Sequence, residues 1–168
     1  LRQAKANVRF CMEIYKVQLA GKRHFLHEHP EKSKSWMLPE VVEMMARPEV
    51  GITTCHMCAF GMTAEDKEGS GLVHKATRLM SSAEEILKRM NVRCSNETGK
   101  EQHRHVHLEQ GRARQAQGYP RLFCTPVCEG IAAQKKKESL GMKDRPTMSM
   151  EEMRAIAKSR PEECPGAA

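Results

Sequence analysis

The sequence has few aromatic residues and no long apolar run. Phe, Trp and Tyr make up 4% of its 168 residues, whereas Met occurs twelve times, so we expect an aliphatic, sulfur-rich core. No stretch approaches the roughly 18–20 consecutive apolar residues that a membrane span requires, and no secretory signal is visible. We therefore expect a protein without a membrane partner that resides inside the cell, in the cytoplasm or nucleus.

The sequence also lacks the short motifs of common enzymes. It contains no G-x-G-x-x-G turn, no Walker loop and no nucleophile elbow. Acid–base chemistry would rest on Glu28 and the histidines alone. These absences favour a chain that is not an enzyme by itself.

Positive charge is in excess. The net charge is +7 and the pI is near 9.1, a balance that favours polyanionic partners. The segment Lys88 to Arg121 holds eight Lys or Arg against three acidic residues. Nucleic acid is therefore the expected class of partner.

Helical and strand patterns alternate along the chain. The apolar periodicity predicts a buried helix at Arg2 to Ala20. Short apolar or β-branched runs predict strands at His24 to His29, Gly51 to Phe60 and Leu72 to Met80. Such alternation is typical of the α/β class.

Further helices are predicted from their start signals. Pro39 occupies a typical first helical position, and Ser81 and Ser82 precede glutamates at capping-box spacing. A Gly-rich, charged loop is expected at Thr63 to Gly71, and helices at 111–117 and Pro120 to Gln134. We expect one folded domain at 1–134 and a weakly ordered, charged tail at 135–168.

A carboxylate between two imidazoles forms the first candidate site. Glu28 lies between His27 and His29 at the end of a predicted strand, where open α/β sheets bind ligands. A glutamate there can hydrogen-bond a base edge or a small ligand. The alternative is that Glu28 caps a turn and that both histidines lie on the surface.

Cysteine and histidine form the second candidate site. Zinc requires four such ligands in a tetrahedron, and we expect Cys94, His103 and His105 to supply three, with Cys124 or Cys58 as the fourth. The alternative is that these cysteines are buried thiols that act as small apolar residues.

Basic residues form a third candidate site. Lys75 and Arg78 flank Thr77 after the flexible loop and are placed to contact phosphate, and Arg104 lies in the basic segment. The alternative is that these residues are solvated charges on an edge strand.

Several motifs occur in a fixed order over residues 1–134, and together they resemble a recurring region of protist retroelement-like, copia-type polyproteins. By that resemblance, an upstream segment of the same polyprotein is a partner, in keeping with a chain that starts at Leu1 inside a helical pattern. The motifs are Arg9 to Gln18, Phe25-Leu26-His27-Glu28-His29-Pro30, Ser35-Trp36, Cys58 to Gly61, Lys75 to Arg78, Cys94 and His103 to His105.

Two of these motifs carry a further resemblance. Glu28-His29-Pro30 is similar to the Glu-Asn-Val or Glu-Asn-Pro motif, and Phe60-Gly61 to the Phe-Gly motif, of the second half of a cytosine-5 DNA methyltransferase domain. The resemblance implies a partial Rossmann-like three-layer sandwich with about three strands and flanking helices. It also implies that Glu28 contacts the target base and that Arg78 lies on the substrate side.

The same resemblance places the catalytic parts elsewhere. The glycine turn that binds S-adenosylmethionine and the Pro-Cys nucleophile motif would both precede Leu1, so this cofactor is implied only where an upstream half is present. His29 also stands where the family has Asn. We therefore expect a non-catalytic or incomplete methyltransferase-like domain associated with nucleic acid, with Glu28 at the carboxyl end of a central parallel strand. The alternative is a small zinc-stabilised nucleic-acid-binding module.

Overall fold

The computed structural model describes residues 2–99, 102–108, 114 and 116–141. Five α-helices, five strands and two short 3₁₀ helices lie within these residues. The helices are α1 (Arg2–Ala20), α2 (Pro39–Met45), α3 (Glu84–Met90), α4 (Ser95–Thr98) and α5 (Arg121–Gly141), and the 3₁₀ helices are Lys34–Met37 and Met57–Phe60. The strands are β1 (Leu26–Pro30), β2 (Gly51–His56), β3 (Thr63–Asp66), β4 (Gly69–Leu72) and β5 (Ala76–Ser81).

The main sheet has three strands in the order β1-β5-β2, and β5 runs antiparallel to both neighbours. Glu28 lies opposite Leu79, and Cys55 lies opposite Thr77. The α/β class, with three strands and flanking helices, is confirmed. The expectation that Glu28 ends a central parallel strand is wrong, because β1 is an edge strand of an antiparallel sheet.

The amino-acid content of the strands explains this order. Strand β5 buries residues on both of its faces, with Leu79 on one side and Met80 on the other, so it gains most from the central position. Strand β1 carries two histidines and a proline, and Pro30 cannot donate to a ladder. Such a strand is suited to the edge of a sheet.

Helices cover both faces of the sheet. Met80 packs into a core that contains Met12 of α1 and Met44 of α2. Leu79 packs on the opposite side into a core that contains Ile86 of α3 and Phe123 of α5. The arrangement is three layers of helix, sheet and helix, held by methionine-rich packing.

Two local expectations are corrected. The predicted loop at Thr63 to Gly71 forms the β3–β4 hairpin, because Lys67 and Glu68 make a two-residue turn that allows Thr63–Asp66 to pair with Gly69–Leu72. The predicted capping box is wrong, because Ser81 is the last residue of β5 and Ala83 is the N-cap of α3, without a side-chain cap. The Ser81 hydroxyl instead donates to the Phe25 carbonyl and accepts the Ala83 N–H.

The C-terminal helix passes the boundary predicted for the tail. Helix α5 continues through 135–141, where Lys, Glu and Ser follow without proline, and Lys137 pairs with Glu84 of α3 at 2.7 Å. The remainder of the predicted tail, 142–168, and most of the helix predicted at 111–117 lie outside the described residues. None of the helices described is both long and apolar enough to cross a bilayer.

Candidate metal centre

Four potential metal ligands come together from three segments of the chain. Cys58 lies on the 3₁₀ helix that follows β2, and Cys94 precedes α4. His103 and His105 lie on an extended segment that bridges to Leu72 at the end of β4. One nitrogen or sulfur atom from each of the four lies within 4.8 Å of the others.

Local backbone structure fixes Cys58 in this position. The 3₁₀ helix ends at Gly61, whose φ of 73° lies in the left-handed region that favours glycine. The Gly61 N–H donates to the Cys58 carbonyl at 3.0 Å. The turn therefore closes three residues after the cysteine, just before β3 begins at Thr63.

The distances suit a tetrahedral cation. With Zn–S of about 2.3 Å and Zn–N of about 2.0–2.1 Å, a tetrahedron sets S and N about 3.5–3.6 Å apart and two N about 3.3–3.4 Å apart. Cys94 Sγ lies 3.5 Å from Nε2 of His103 and 3.5 Å from Nε2 of His105. The two Nε2 atoms are 2.8 Å apart, so they need to separate by about 0.5 Å to reach this geometry.

A second layer of hydrogen bonds orients His103. Its Nδ1 lies 3.1 Å from the Ser95 hydroxyl, so this nitrogen can carry the proton and leave Nε2 free as a ligand. The side-chain amide of Asn96 donates to the His103 carbonyl at 2.8 Å and accepts the His103 N–H at 2.9 Å. Both residues belong to α4, so this short helix positions the imidazole.

Burial favours the uncharged forms of Cys58 and His105. Cys58 and Cys94 are 4% and 0% exposed. Burial, reinforced by the neighbouring Cys94 thiol, raises the pKa of Cys58 to about 12. Burial, with the nearby His103, also lowers the pKa of His105. A neutral imidazole is the ligand form of histidine, and the thiols need a cation to hold them as thiolates.

A second group of potential ligands lies beside the first. His74 Nε2 lies 3.0 Å from a Glu97 carboxylate oxygen, and His56 Nδ1 lies 3.5 Å from the same oxygen. However, His56 Nδ1 already accepts the Cys94 N–H at 3.0 Å. These three side chains therefore support the centre from outside and do not form a second complete ligand set.

The predicted zinc ligands are brought together with one exception. Cys94, His103 and His105 converge as predicted, and Cys58, the alternative fourth ligand, joins them. Cys124 lies exposed on α5 and is not part of the group. Sequence reasoning missed Ser95 and Asn96, although their place directly after Cys94 could have indicated a supporting role.

The predicted pocket of His27, Glu28 and His29 is divided between the two faces of the sheet. Successive side chains of a strand point to opposite faces, so His27 and His29 lie on the Trp36 side and Glu28 on the Leu79 side. One carboxylate oxygen of Glu28 is buried and has no hydrogen-bond partner among the residues that the structure describes. Burial and a hydrogen bond to Glu28 raise the pKa of Tyr119, which places this phenol against the carboxylate.

His27 is a buried, neutral histidine. Its Nδ1 lies 3.2 Å from the Tyr15 hydroxyl, and its ring stacks on that of His29 with centroids 4.8 Å apart. Burial, with a smaller effect of His29, lowers the pKa of His27 to about 4. His27 is therefore a core residue and not a surface ligand.

The three predicted phosphate-binding residues have different environments. The Lys75 ammonium lies 5.8 Å from the centre of the Tyr119 ring, and the Arg78 guanidinium lies 5.4 Å from the centre of the Trp36 ring. Arg104 instead binds both carboxylate oxygens of Asp66, at 2.9 and 2.8 Å. The Arg104 guanidinium thus connects the 102–108 segment, which carries His103 and His105, to the β3–β4 hairpin.

The geometry groups the candidate ligands into one Cys2His2 centre. A bound ion there would join the 3₁₀ helix after β2, the start of α4 and the 102–108 segment. Comparison of the chain with protein-family models, with curated proteins and with solved structures finds no significant match to any of them.

Proposed function

We propose that this chain is a small zinc-stabilised α/β module that binds nucleic acid. The observation that carries the proposal is the convergence of Cys58, Cys94, His103 and His105, with both Cys94–imidazole distances at 3.5 Å. Two thiolates and two imidazoles are a typical donor set for structural zinc.

A structural role suits the site better than a catalytic one. A catalytic zinc keeps one coordination position open for water or substrate, whereas four protein ligands close the tetrahedron. Both cysteines are buried, which also restricts access to substrate. The ion would then stabilise the fold by joining the end of β2, the start of α4 and the 102–108 segment.

The charge of the chain supports a polyanionic partner. The net charge of +7 attracts phosphates through a salt-dependent release of counterions. Lys75 and Arg78 lie over aromatic rings that fix their positions without neutralising them. Binding of this kind depends on the phosphate backbone, and its affinity falls steeply with added salt.

Metal analysis of the purified chain tests the proposal. We expect about one zinc per chain, and a chelator should lower the melting temperature, because a ligand present at about a thousand times its Kd stabilises a fold by about 4 kcal/mol. Cys58→Ser keeps three of the four ligands and should hold zinc more weakly, whereas Cys124→Ser is the matched control and should hold it as the wild type does. No bound zinc and an unchanged melt in chelator would contradict the proposal.

We also propose a second candidate function, favoured by Glu28. A half-buried glutamate beside Tyr119, with one buried oxygen that has no partner among the described residues, is the kind of group that binds a donor on a ligand. It supports an incomplete methyltransferase-like domain of a retroelement polyprotein in which Glu28 contacts a base. Glu28→Gln should weaken nucleotide binding with little loss of stability, and a large stability loss with unchanged binding would make Glu28 structural.

A further inference from the structure

A cavity of about 450 Å³ lies on the α1 side of the sheet, away from the metal centre. It is bounded by the first half of α1, by the end of β1 and by the turn that leads into the 3₁₀ helix Lys34–Met37. Ligand pockets in proteins span about 300–1,000 Å³, so this volume can hold a small molecule or one unit of a polymer.

The polar lining of this cavity consists of groups that can donate hydrogen bonds. Within the described part of the chain no Asp or Glu lines the cavity, and its apolar lining residues are Ala4, Val8 and Leu38. The polar lining residues are Lys5, Asn7, His29, Ser33, Lys34 and Ser35.

Neither lysine of the lining is neutralised within the described part of the chain. The neighbouring ion pairs on this face use Arg9 with Glu40, and Lys16 with Glu13 and Glu43, and they leave Lys5 and Lys34 outside. Two unpaired ammonium groups at one cavity create a local positive potential. An anionic ligand would compensate this charge.

A hydrogen-bond network holds the polar wall in place. The Ser35 hydroxyl lies 2.7 Å from His29 Nδ1, and 2.7 Å from the Ser33 hydroxyl. The Trp36 indole N–H donates to the Pro30 carbonyl at 2.9 Å and fixes the 3₁₀ helix against β1. Because the network uses Nδ1, the Nε2 nitrogen of His29 is the ring atom that can face a ligand.

We propose that this cavity binds the phosphate of a nucleotide, with Lys5, Lys34 and His29 as the phosphate contacts. Ammonium and imidazole N–H groups together with hydroxyls are the donors that phosphate oxygens accept. A phosphate alone is much smaller than the cavity, and the apolar lining beside Val8 and Leu38 suits the body of a nucleoside. The nucleotide is either free or part of a nucleic acid, the partner class of the proposed function.

The test uses the full chain and three probes: a nucleoside 5′-monophosphate, the same nucleoside without phosphate, and a single-stranded oligonucleotide. Binding is followed by calorimetry and by the NMR signals of His29 and of the Ser33 and Ser35 amides. We expect Lys5→Ala/Lys34→Ala to weaken binding at least about tenfold, a loss typical of charge-assisted contacts. The control double variant Lys135→Ala/Lys136→Ala removes the same charge from exposed positions on α5. It should change the binding affinity much less.

The probes also distinguish the source of the phosphate. Binding of the monophosphate supports a free nucleotide, and binding of the oligonucleotide alone supports a backbone phosphate. Equal binding of the nucleoside and its monophosphate, or equal losses in the two double variants, would overturn the proposal. Zinc content is measured on the same samples, so failure at this cavity is distinguished from failure of the metal centre.

Discussion

The amide N–H of Cys94 donates to Nδ1 of His56 at 3.0 Å, and His56 is 4% exposed at the end of β2. This bond joins the sheet to one of the proposed metal ligands. The same bond fixes the tautomer of His56, because Nδ1 accepts and Nε2 must carry the proton. Burial also lowers the pKa of His56, so the ring is neutral.

Removal of the His56 Nδ1 acceptor should weaken zinc binding at the proposed centre. His56→Ala leaves the buried Cys94 N–H unpaired, at a cost of about 1–3 kcal/mol, and should lower zinc affinity about 10–100-fold. His56→Asn can place an amide oxygen close to the position of Nδ1 and should recover most of the affinity. Competition with a chromophoric chelator measures both variants, and equal losses in the two would show that the hydrogen bond is not the cause.

Stability should depend on pH through His27. Its pKa in the folded chain is about 4, below the ordinary value of 6.5. Between these values the unfolded chain binds a proton that the folded chain does not, so stability is full above pH 6.5 and falls as the pH decreases towards 4. The loss should be on the order of 2–3 kcal/mol.

Denaturant unfolding at pH 7 and at pH 5 measures this effect in the wild type and in His27→Gln. The variant should show a smaller decrease between the two pH values, because Gln does not titrate. The histidines of the metal centre contribute equally to both proteins and cancel in the comparison. An identical decrease in both proteins would exclude His27 as the source.

Close packing of α3 against α5 depends on Gly130. A Cβ atom at this position would lie 2.7 Å from Ile86 Cα and 3.1 Å from the Glu85 carbonyl oxygen. Alanine normally stabilises a helix by about 1 kcal/mol relative to glycine, but Gly130→Ala should destabilise this fold by about 1–3 kcal/mol. Gly118→Ala is the control for thermal melts, because a Cβ at Gly118 meets no atom of the described residues within 4 Å. A Gly130→Ala variant more stable than the wild type would contradict the packing.

The Arg104 guanidinium should stabilise the hairpin beside the metal centre. It binds Asp66 and donates to the Gly69 carbonyl at 2.7 Å. Because both side chains are partly exposed, a double-mutant cycle with Arg104→Ala and Asp66→Asn should give a coupling of about 1 kcal/mol or less. Oligonucleotide affinity should fall less in Arg104→Ala than in Arg78→Ala, since Arg104 is already paired. The reverse order would identify Arg104 as a phosphate contact.

Features of the fold that depend on residues close together in the sequence could be predicted. The bounds of α1 match the apolar periodicity of Arg2 to Ala20, and α2 begins at Pro39 as its position predicts. The order and direction of the strands could not be predicted, because they depend on which distant segments pair. The central place of β5 follows from burial on both of its faces, which only the assembled layers reveal.

The candidate site was predictable to a similar degree. Cys94, His103 and His105 are close in the sequence, and their residue types suggest a shared zinc site beside the alternative of buried thiols. The fourth ligand is distant in the sequence, and Cys58 and Cys124 are equivalent by residue type. Only the fold distinguishes them, because the turn after β2 buries Cys58 and the exposed face of α5 carries Cys124.

X-ray absorption at the zinc edge identifies the ligands of the proposed metal centre. The proposed centre predicts two sulfur scatterers at about 2.3 Å and two imidazole nitrogens at about 2.0–2.1 Å. Cys58→Ser should reduce the sulfur count to one. A shell of oxygen and nitrogen without sulfur, or a spectrum unchanged in Cys58→Ser, would contradict the Cys2His2 centre.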